Sequence, residues 1–276
     1  MEINLRITKE LMELAVPASK EPKGIIFSRM EPKINAVIED IADDKLGEVG
    51  ITAVNGASSG RLAMAVISLA TVDVFIHELH GMDLVLTPTG FGVVSTNDTV
   101  PASKIRIDSL DGELRVKWLH LYDELLEECF KLDGWYQQGL MMIDTLFCLF
   151  KYLKTFAGKQ APLAKDWEDA STVILETDRW LRDKISDEYM DELIGLMATN
   201  TLTEKARGIV HQIRRIIGMA IQGNKGAMYE YYRRLMNTLE SDLETFSTYA
   251  ESQAYQVNHF KPYENEQESG AFHFVG

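Results

Sequence analysis

Apolar residues recur three and four positions apart along most of this chain. A helix predicted near residues 27–41 has its apolar positions on one face, at Ile34, Val37, Ile38 and Ile41. A helix predicted over residues 102–130 repeats the spacing with Ile107, Leu110, Leu114, Trp118, Leu121 and Leu125. This period predicts a mainly α protein, built as a helical bundle.

The run at residues 59–79 is apolar on nearly every side, as is typical of the central helix of a bundle. Further helical patterns are predicted at residues 9–16, 135–156, 163–185, 187–196, 203–222 and 226–254. A break between Gly158 and Pro162 divides the chain into helical halves of residues 1–157 and 158–254. The halves present a similar order of helices, which either a duplicated unit or a chance likeness of helix lengths would produce.

Residues 83–101 interrupt the helical pattern. Residues 84–86 and 91–94 are short β-leaning runs, Pro88 presets φ for a turn, and Gly90 can supply the positive φ that closes it. We expect one inserted β-hairpin near residues 84–95, with candidate assembly residues Leu86, Pro88, Gly90, Phe91 and Val93. A two-stranded hairpin is marginal in water, so it needs a partner surface, either the chain's own helices or another subunit.

The last segment, residues 255–276, is polar and is broken by Pro262 and Gly270. Such a composition buries little surface by itself, although its last residues alternate aromatic and smaller side chains. We predict an extended C-terminal arm that pairs with a neighbour's sheet edge or fills its groove. The candidate assembly residues of this arm are Phe260, Tyr263, Phe272 and Phe274.

The net charge of the chain makes some classes of binding protein less suitable than others. The formal net charge of −14 disfavours non-specific binding to nucleic acid or to an anionic membrane. The arginine doublets at residues 214–215 and 233–234 are predicted to lie on solvated helix faces. The N-terminus lacks the pattern of a signal peptide, and the apolar runs are too short to span a bilayer, so no membrane contact is expected.

Candidate catalytic and metal-binding residues are few. His77 and His80 are three residues apart, which differs from the H-E-x-x-H zinc spacing. The acidic run around Asp123 is predicted to lie on a solvated helix face. Asp144 is predicted to lie at a helix edge or to pair with a polar neighbour. Cys129 and Cys148 lack metal-ligand spacing and are expected to be buried thiols. We therefore predict no catalytic, cofactor-binding or metal site.

The motif around the predicted turn carries a resemblance. Residues 86–95 read L-T-P-T-G-F-G-V-V-S, and P-A-S-K follows at residues 101–104, with Arg106 close behind. This resembles a family of otherwise uncharacterised proteins encoded in phages and prophages of gut Bacteroides-type bacteria. Its pattern is roughly V-x-T-P-x-G-F-x-V-V-S-N, then P-A-S-x-x-R, which this chain matches with small shifts. The aromatic ending of the chain is similar too.

The resemblance implies a non-enzymatic virion structural protein without a cofactor, most simply a head–tail connector or adaptor ring subunit. The expected partners are further copies of the chain, the portal, and tail or neck proteins, with packaged DNA passing nearby. The expected location is the virion neck, after synthesis in the bacterial host cytoplasm. Three alternatives stay open: a tail-completion or other neck protein, a helical adaptor outside the virion, and a helical metal-binding enzyme that uses His77 and His80.

Overall fold

The computed structural model describes residues 1–20, 25–81, 84–87, 90–93 and 104–259 of the chain. The helices of the first part are α1 (Lys9–Ala15), α2 (Ile25–Ile41), α3 (Gly47–Gly56), α4 (Arg61–Glu78) and α5 (Lys104–Cys129). Those that follow are α6 (Tyr152–Thr155), α7 (Ala164–Lys184), α8 (Asp187–Ala198), α9 (Glu204–Ile221), α10 (Lys225–Glu240), α11 (Ser247–Ala250) and α12 (Gln253–Asn258). A π-helical stretch, Ala42–Leu46, joins α2 to α3.

Helix α4 is the centre of the first part. Eleven of its side chains are buried, and it packs against α1, α2 and α5, so the prediction of a central apolar helix is confirmed. The Trp118 indole N–H donates to Asp73 Oδ1 over 2.9 Å and thereby joins α5 to α4. At the last residue of α4, Glu78 forms ion pairs with Arg29 and Lys33 of α2.

The long helix predicted over residues 135–156 does not form. The structure has a 3-10 turn at Tyr136–Gln138, an irregular path to residue 151, and then the single-turn helix α6. Gly134 and Gly139 have positive φ values, which an α-helix does not allow. The buried carboxylate of Asp123 accepts the backbone N–H groups of Phe150 and Lys151, each over 2.8 Å. These groups therefore find partners without a helical ladder.

Helices α7 to α12 form the second part. Helices α9 and α10 are an antiparallel pair, and Lys205 near the start of α9 reaches Asp242 just beyond α10 over 2.5 Å. The Arg182 side chain of α7 contacts Asp178 on its own helix and Asp191 on α8. Thr203 caps α9 by accepting the Ala206 N–H. One cluster of buried apolar residues runs through both predicted halves.

The fold-class prediction needs a correction at its β part. The body of the protein is helical, and α4 and α5 pack directly on each other. The only β pairing in the described residues is between β1 (Leu84–Thr87) and β2 (Gly90–Val93), which run antiparallel with Leu84 opposite Val93. Four residue pairs without a third strand do not make a sheet on which a body can pack. The fold class is therefore a helical bundle. The prediction that this fold class includes an inserted β-hairpin is wrong.

Among the described residues, no individual helix combines the length and the apolar composition needed to cross a membrane.

Candidate binding cleft

A cleft of about 700 Å³ opens where the two parts of the chain meet. The first two turns of α4 form one wall, and the end of α5 forms the next. The opposite side comes from Tyr152 of α6, from Met197 near the end of α8, and from the residues that lead into α9. The antiparallel packing of α4 on α5 explains this position, because it brings the start of α4 beside the end of α5.

Arg214 of α9 lies at the base of the cleft. Its guanidinium stacks over the Tyr152 ring at 4.1 Å from the ring centre. The Nε–H donates to the Leu146 carbonyl oxygen over 2.8 Å, and Nη2 lies 2.9 Å from the Met197 sulfur. Burial lowers the pKa of Arg214 from its ordinary value. The prediction that Arg214 lies on a solvated face is therefore wrong.

Two further arginines line the same cleft. Arg61 is the first residue of α4, and Arg207 lies in the first turn of α9. Within the described part of the chain, no carboxylate lies within ion-pair distance of Arg61, Arg207 or Arg214. The cleft therefore holds three guanidinium groups that are not neutralised by a direct partner, in a chain of net charge −14.

Three glutamates, Glu124, Glu127 and Glu128, also line the cleft, and two of them are paired with lysines. Glu128 binds Lys131 over 2.6 Å, and Glu127 forms an ion pair with Lys151. Apolar side chains fill the space between the charges, including Met64, Phe130, Leu149, Tyr152, Met197 and Leu202. Guanidinium forks bind carboxylates and phosphates in a bidentate manner, and apolar walls favour a ligand that also has an apolar part. The cleft is thus suited to an anionic ligand with apolar or aromatic groups.

A second groove, of about 500 Å³, is lined in part by His77, one of the two histidines of the metal-binding alternative. The His77 side chain is largely exposed, and its Nδ1 lies 2.8 Å from the carbonyl oxygen of Asp73. The side chain of His80 lies outside the described residues. In the part of the chain that the structure describes, no three His, Cys, Asp or Glu side chains are grouped to hold a metal ion. His77 is thus placed at an exposed helix end beside Trp118 and Trp167.

Asp123 is buried, contrary to the prediction of a solvated acidic face. Burial raises its pKa to about 6, although the two N–H groups that it accepts act in the opposite direction. Burial also raises the pKa values of Cys129, to about 12, and of Cys148, to about 11, so both thiols stay protonated at neutral pH. Asp144 is exposed and lines a surface hollow that Arg182 also lines.

None of the described residues that line the cleft is a predicted assembly residue. The backbone of Leu86 lies in β1, and the backbones of Gly90, Phe91 and Val93 lie in β2. Pro88 lies outside the described residues. So do the four candidate residues of the arm: Phe260, Tyr263, Phe272 and Phe274. Their roles therefore stay predictions.

A signal for Arg214 was present in the sequence. Val210, Ile213 and Ile217 are buried around it at helical spacing, so the period of α9 places Arg214 close to the buried face. Arg61 and Arg207 carry no such signal, because they meet only when the first turns of α4 and α9 are brought to the same cleft.

The fold and the cleft define a helical protein with a cleft lined by apolar, cationic and acidic side chains. Comparisons with protein-family models, curated proteins and solved structures find no match to this chain.

Proposed function

We propose that this chain is a non-enzymatic structural subunit of a tailed-phage virion that assembles with further copies of itself. The place that fits best is the neck, as a head–tail connector or adaptor ring subunit in contact with the portal and with tail or neck proteins. The neck assignment rests on the resemblance of residues 86–106 to phage and prophage proteins. Self-assembly rests on a surface of the described fold.

The observation that carries self-assembly is the projecting start of α5. None of the first ten residues of this helix is fully buried, although Ile107 and Leu110 pack partly against the core, and Leu114 is its first buried residue. Ile105 is 81% exposed although it is a large apolar residue. One exposed apolar residue is ordinary, but a patch of them marks a protein interaction site, so the residues beside Ile105 decide whether this end is suited to a protein partner.

The geometry of α4 and α5 explains the projection. Trp118 of α5 bonds to Asp73 of α4, and α4 ends five residues later, at Glu78. The fourteen residues of α5 before Trp118 span about 21 Å, whereas the remainder of α4 spans about 7 Å. Helix α5 therefore extends beyond the end of α4 by more than two helical turns.

Helix α2 adds a second exposed apolar residue at this end. Arg29 in its second turn pairs with Glu78, so α2 begins beyond the last turn of α4. Its first residue, Ile25, is 65% exposed. Ile25 and Ile105 thus belong to the same end of the bundle, and we name this surface the α2–α5 end. Burial of these two isoleucines would contribute at most about 3–6 kcal/mol per copy, and part of this offsets the freedom that each copy loses on association.

Light scattering coupled to size-exclusion chromatography tests this proposal. We expect the wild-type chain to form species larger than its 31.2 kDa monomer as the concentration rises. Ile105→Glu should weaken this association by about tenfold or more, because a charge would be buried at the interface. Met142→Glu is the matched control, since Met142 is 86% exposed and lines a hollow with Arg182 of α7 and Asp191 of α8. A wild type that stays monomeric at every concentration, or an unchanged Ile105→Glu variant, would overturn self-assembly through this end.

Electron microscopy and virion composition test the neck assignment. A closed ring with a central channel, and the chain at a fixed copy number in purified virions of the encoding phage, are the expected results. Filaments, or absence of the chain from the virions, would contradict the assignment even if the chain self-associates.

A further inference from the structure

We propose that the cleft with Arg61, Arg207 and Arg214 binds the C-terminal segment, residues 260–276, of a second copy of this chain. This inference rests on the proposed self-assembly and names the acceptor site for the predicted arm. The acceptor surface is called the arginine cleft below, and residues 260–276 are called the arm.

The chemistry of the arginine cleft specifies the ligand. Three guanidinium groups without a direct carboxylate partner line a space that also has aromatic and thioether walls, and Lys131 and Lys151 pair with two of the three glutamates at its edge. Arg214 is held in place by Tyr152 and by the Leu146 carbonyl oxygen, so its orientation is set before a ligand binds. A prepared cation loses little side-chain freedom on binding, which favours a carboxylate ligand.

The arm carries the complementary groups. Glu264, Glu266 and Glu268 alternate along it, and Lys261 is its only Lys or Arg residue. In an extended chain, alternate residues point to the same side, so the three carboxylates would face the cleft together. The aromatic residues on either side of this acidic stretch match the apolar walls of the cleft.

The place where the described chain ends supports the assignment. His259 lies next to Glu240 at the end of α10, with 3.4 Å between its Nε2 and Oε1 of Glu240. Lys205 contacts Asp242, so the end of α10 lies beside the start of α9. Arg207 is in that same first turn of α9. The arm therefore begins near the rim of the arginine cleft of its own copy. If two copies exchange their arms, each arm has only a short distance to cross before it reaches the other cleft.

The arm is long enough to reach a neighbour. Seventeen extended residues span up to about 56 Å, which exceeds the roughly 39 Å length of α5, the longest helix described. A second copy that packs through the α2–α5 end or beside α9 would thus be within reach.

A mixing experiment separates binding to a second copy from binding within one copy. The first variant, Arg61→Glu with Arg207→Glu, keeps the arm and reverses two charges of the cleft. The second variant, Glu264→Lys with Glu266→Lys and Glu268→Lys, keeps the cleft and reverses the arm. Arg214 is left intact because its contacts hold the fold. The control is Arg233→Glu, which changes an exposed arginine of α10 that does not line the cleft.

Native mass spectrometry should show that each of the two variants alone associates at least tenfold more weakly than wild type. Their equimolar mixture should regain mixed oligomers, because the first variant's arm can fill the second variant's cleft. Arg233→Glu should associate as wild type does. Far-ultraviolet circular dichroism and the melting temperature check that each variant is folded.

Two results would overturn the inference. If both variants associate as wild type does, the arm and the cleft do not bind each other. If both variants are weakened but the mixture gains no mixed oligomer, the arm of one copy does not bind the cleft of another. A fluorescent peptide of residues 260–276 provides an independent readout and should bind the wild-type chain at least tenfold more tightly than the Arg61→Glu, Arg207→Glu variant.

Inorganic phosphate is the probe for a small-anion site. If phosphate at millimolar concentration binds the cleft while the labelled peptide does not, the cleft is a small-anion site and the inference fails. Failure of the proposed function looks different. A monomeric wild type that still binds the peptide through Arg61 and Arg207 would reject self-assembly and retain the cleft as an acidic-peptide site.

Discussion

At the scale of single residues, buried charges decide the path of the chain. Asp123 joins α5 to the irregular segment that replaces the predicted long helix, because its two oxygens accept the N–H groups of Phe150 and Lys151. Arg214 holds the same segment from the other side, through the Leu146 carbonyl oxygen. These two side chains are thus the polar anchors of a segment whose apolar residues, Leu146, Phe147, Leu149, Phe150 and Leu153, are almost entirely buried.

We expect Asp123→Ala to lower the free energy of unfolding by about 2–4 kcal/mol. The substitution leaves two backbone N–H groups without their acceptor, and unsatisfied buried groups cost roughly 1–3 kcal/mol each. Urea denaturation followed by circular dichroism measures this. Asp144→Ala is the control and should change stability by less than about 0.5 kcal/mol, because Asp144 is exposed. Equal effects of the two substitutions would show that Asp123 does not anchor the segment.

The raised pKa of Asp123 predicts a pH dependence of stability. Its pKa is about 6 in the folded protein, against an ordinary value of 3.8, so the folded state binds this proton more tightly than the unfolded chain does. The stabilisation that comes from protonated Asp123 is fully present below about pH 4 and is lost as the pH rises through 6. The free energy of unfolding of wild type, relative to Asp123→Asn, should therefore fall by up to about 3 kcal/mol between pH 4 and pH 7.

Urea titrations of both proteins at several pH values measure this difference, and the other titrating groups cancel in the comparison. A difference that is constant over the range, or that rises with pH, would mean that the Asp123 pKa is not raised.

At the scale of elements, close approach between helices limits side-chain size. In α9, Gly218 faces the backbone of Phe156 just after α6, and a Cβ at this glycine would lie well inside van der Waals contact with the Phe156 carbonyl group. In the same helix, Gly208 is exposed, and a Cβ there would have no neighbour within 4 Å. The two glycines thus have the same secondary structure and different surroundings.

This pair gives a matched test of the packing between α6 and α9. Gly218→Ala should destabilise the protein by about 1–3 kcal/mol, because α9 must shift away from the Phe156 backbone. Gly208→Ala should stabilise it by about 0.5–1 kcal/mol through the higher helix propensity of alanine. Chemical denaturation measures both, and an increase in stability for Gly218→Ala would show that the two elements are not in contact.

At the scale of the whole molecule, the described residues have one cluster of buried apolar side chains that includes residues near both ends of the described chain. Ile3, Leu5 and Ile7 belong to it, and so does Tyr249 of α11. The remaining arm carries three acidic residues in a chain of net charge −14. Its proposed task is therefore association rather than completion of the core.

Deletion of residues 260–276 should weaken association while it leaves helicity unchanged. The free energy of unfolding of the monomer should change by less than about 0.5 kcal/mol, because the arm is polar and its proposed contacts are with a second copy. Circular dichroism and urea denaturation at low protein concentration measure the monomer, and light scattering measures association. A large loss of monomer stability would show that the arm packs on its own body and does not serve assembly.

Much of the helical fold follows from the sequence alone. The spacing of apolar residues three and four positions apart predicted the ends of five helices, α2, α4, α5, α7 and α9, to within two residues. It succeeded because each of these helices buries one face or, in α4, nearly all of its surface. The N-cap residues also act locally, as Thr8 and Thr203 illustrate. Helical period and capping depend on neighbours within one or two turns, which the sequence displays directly.

Only the tertiary structure decided the rest. Residues 139–151 are apolar enough for a helix, yet distant side chains, Asp123 and Arg214, bind their backbone in an irregular path. The β pairing at residues 84–93 stays at four pairs, because no third strand of the described chain joins it. The arginine cleft combines residues 61, 207 and 214, which are far apart in the chain and meet only through the packing of α4, α5 and α9. Such contacts depend on three-dimensional proximity, which a one-dimensional pattern of apolar and polar residues does not contain.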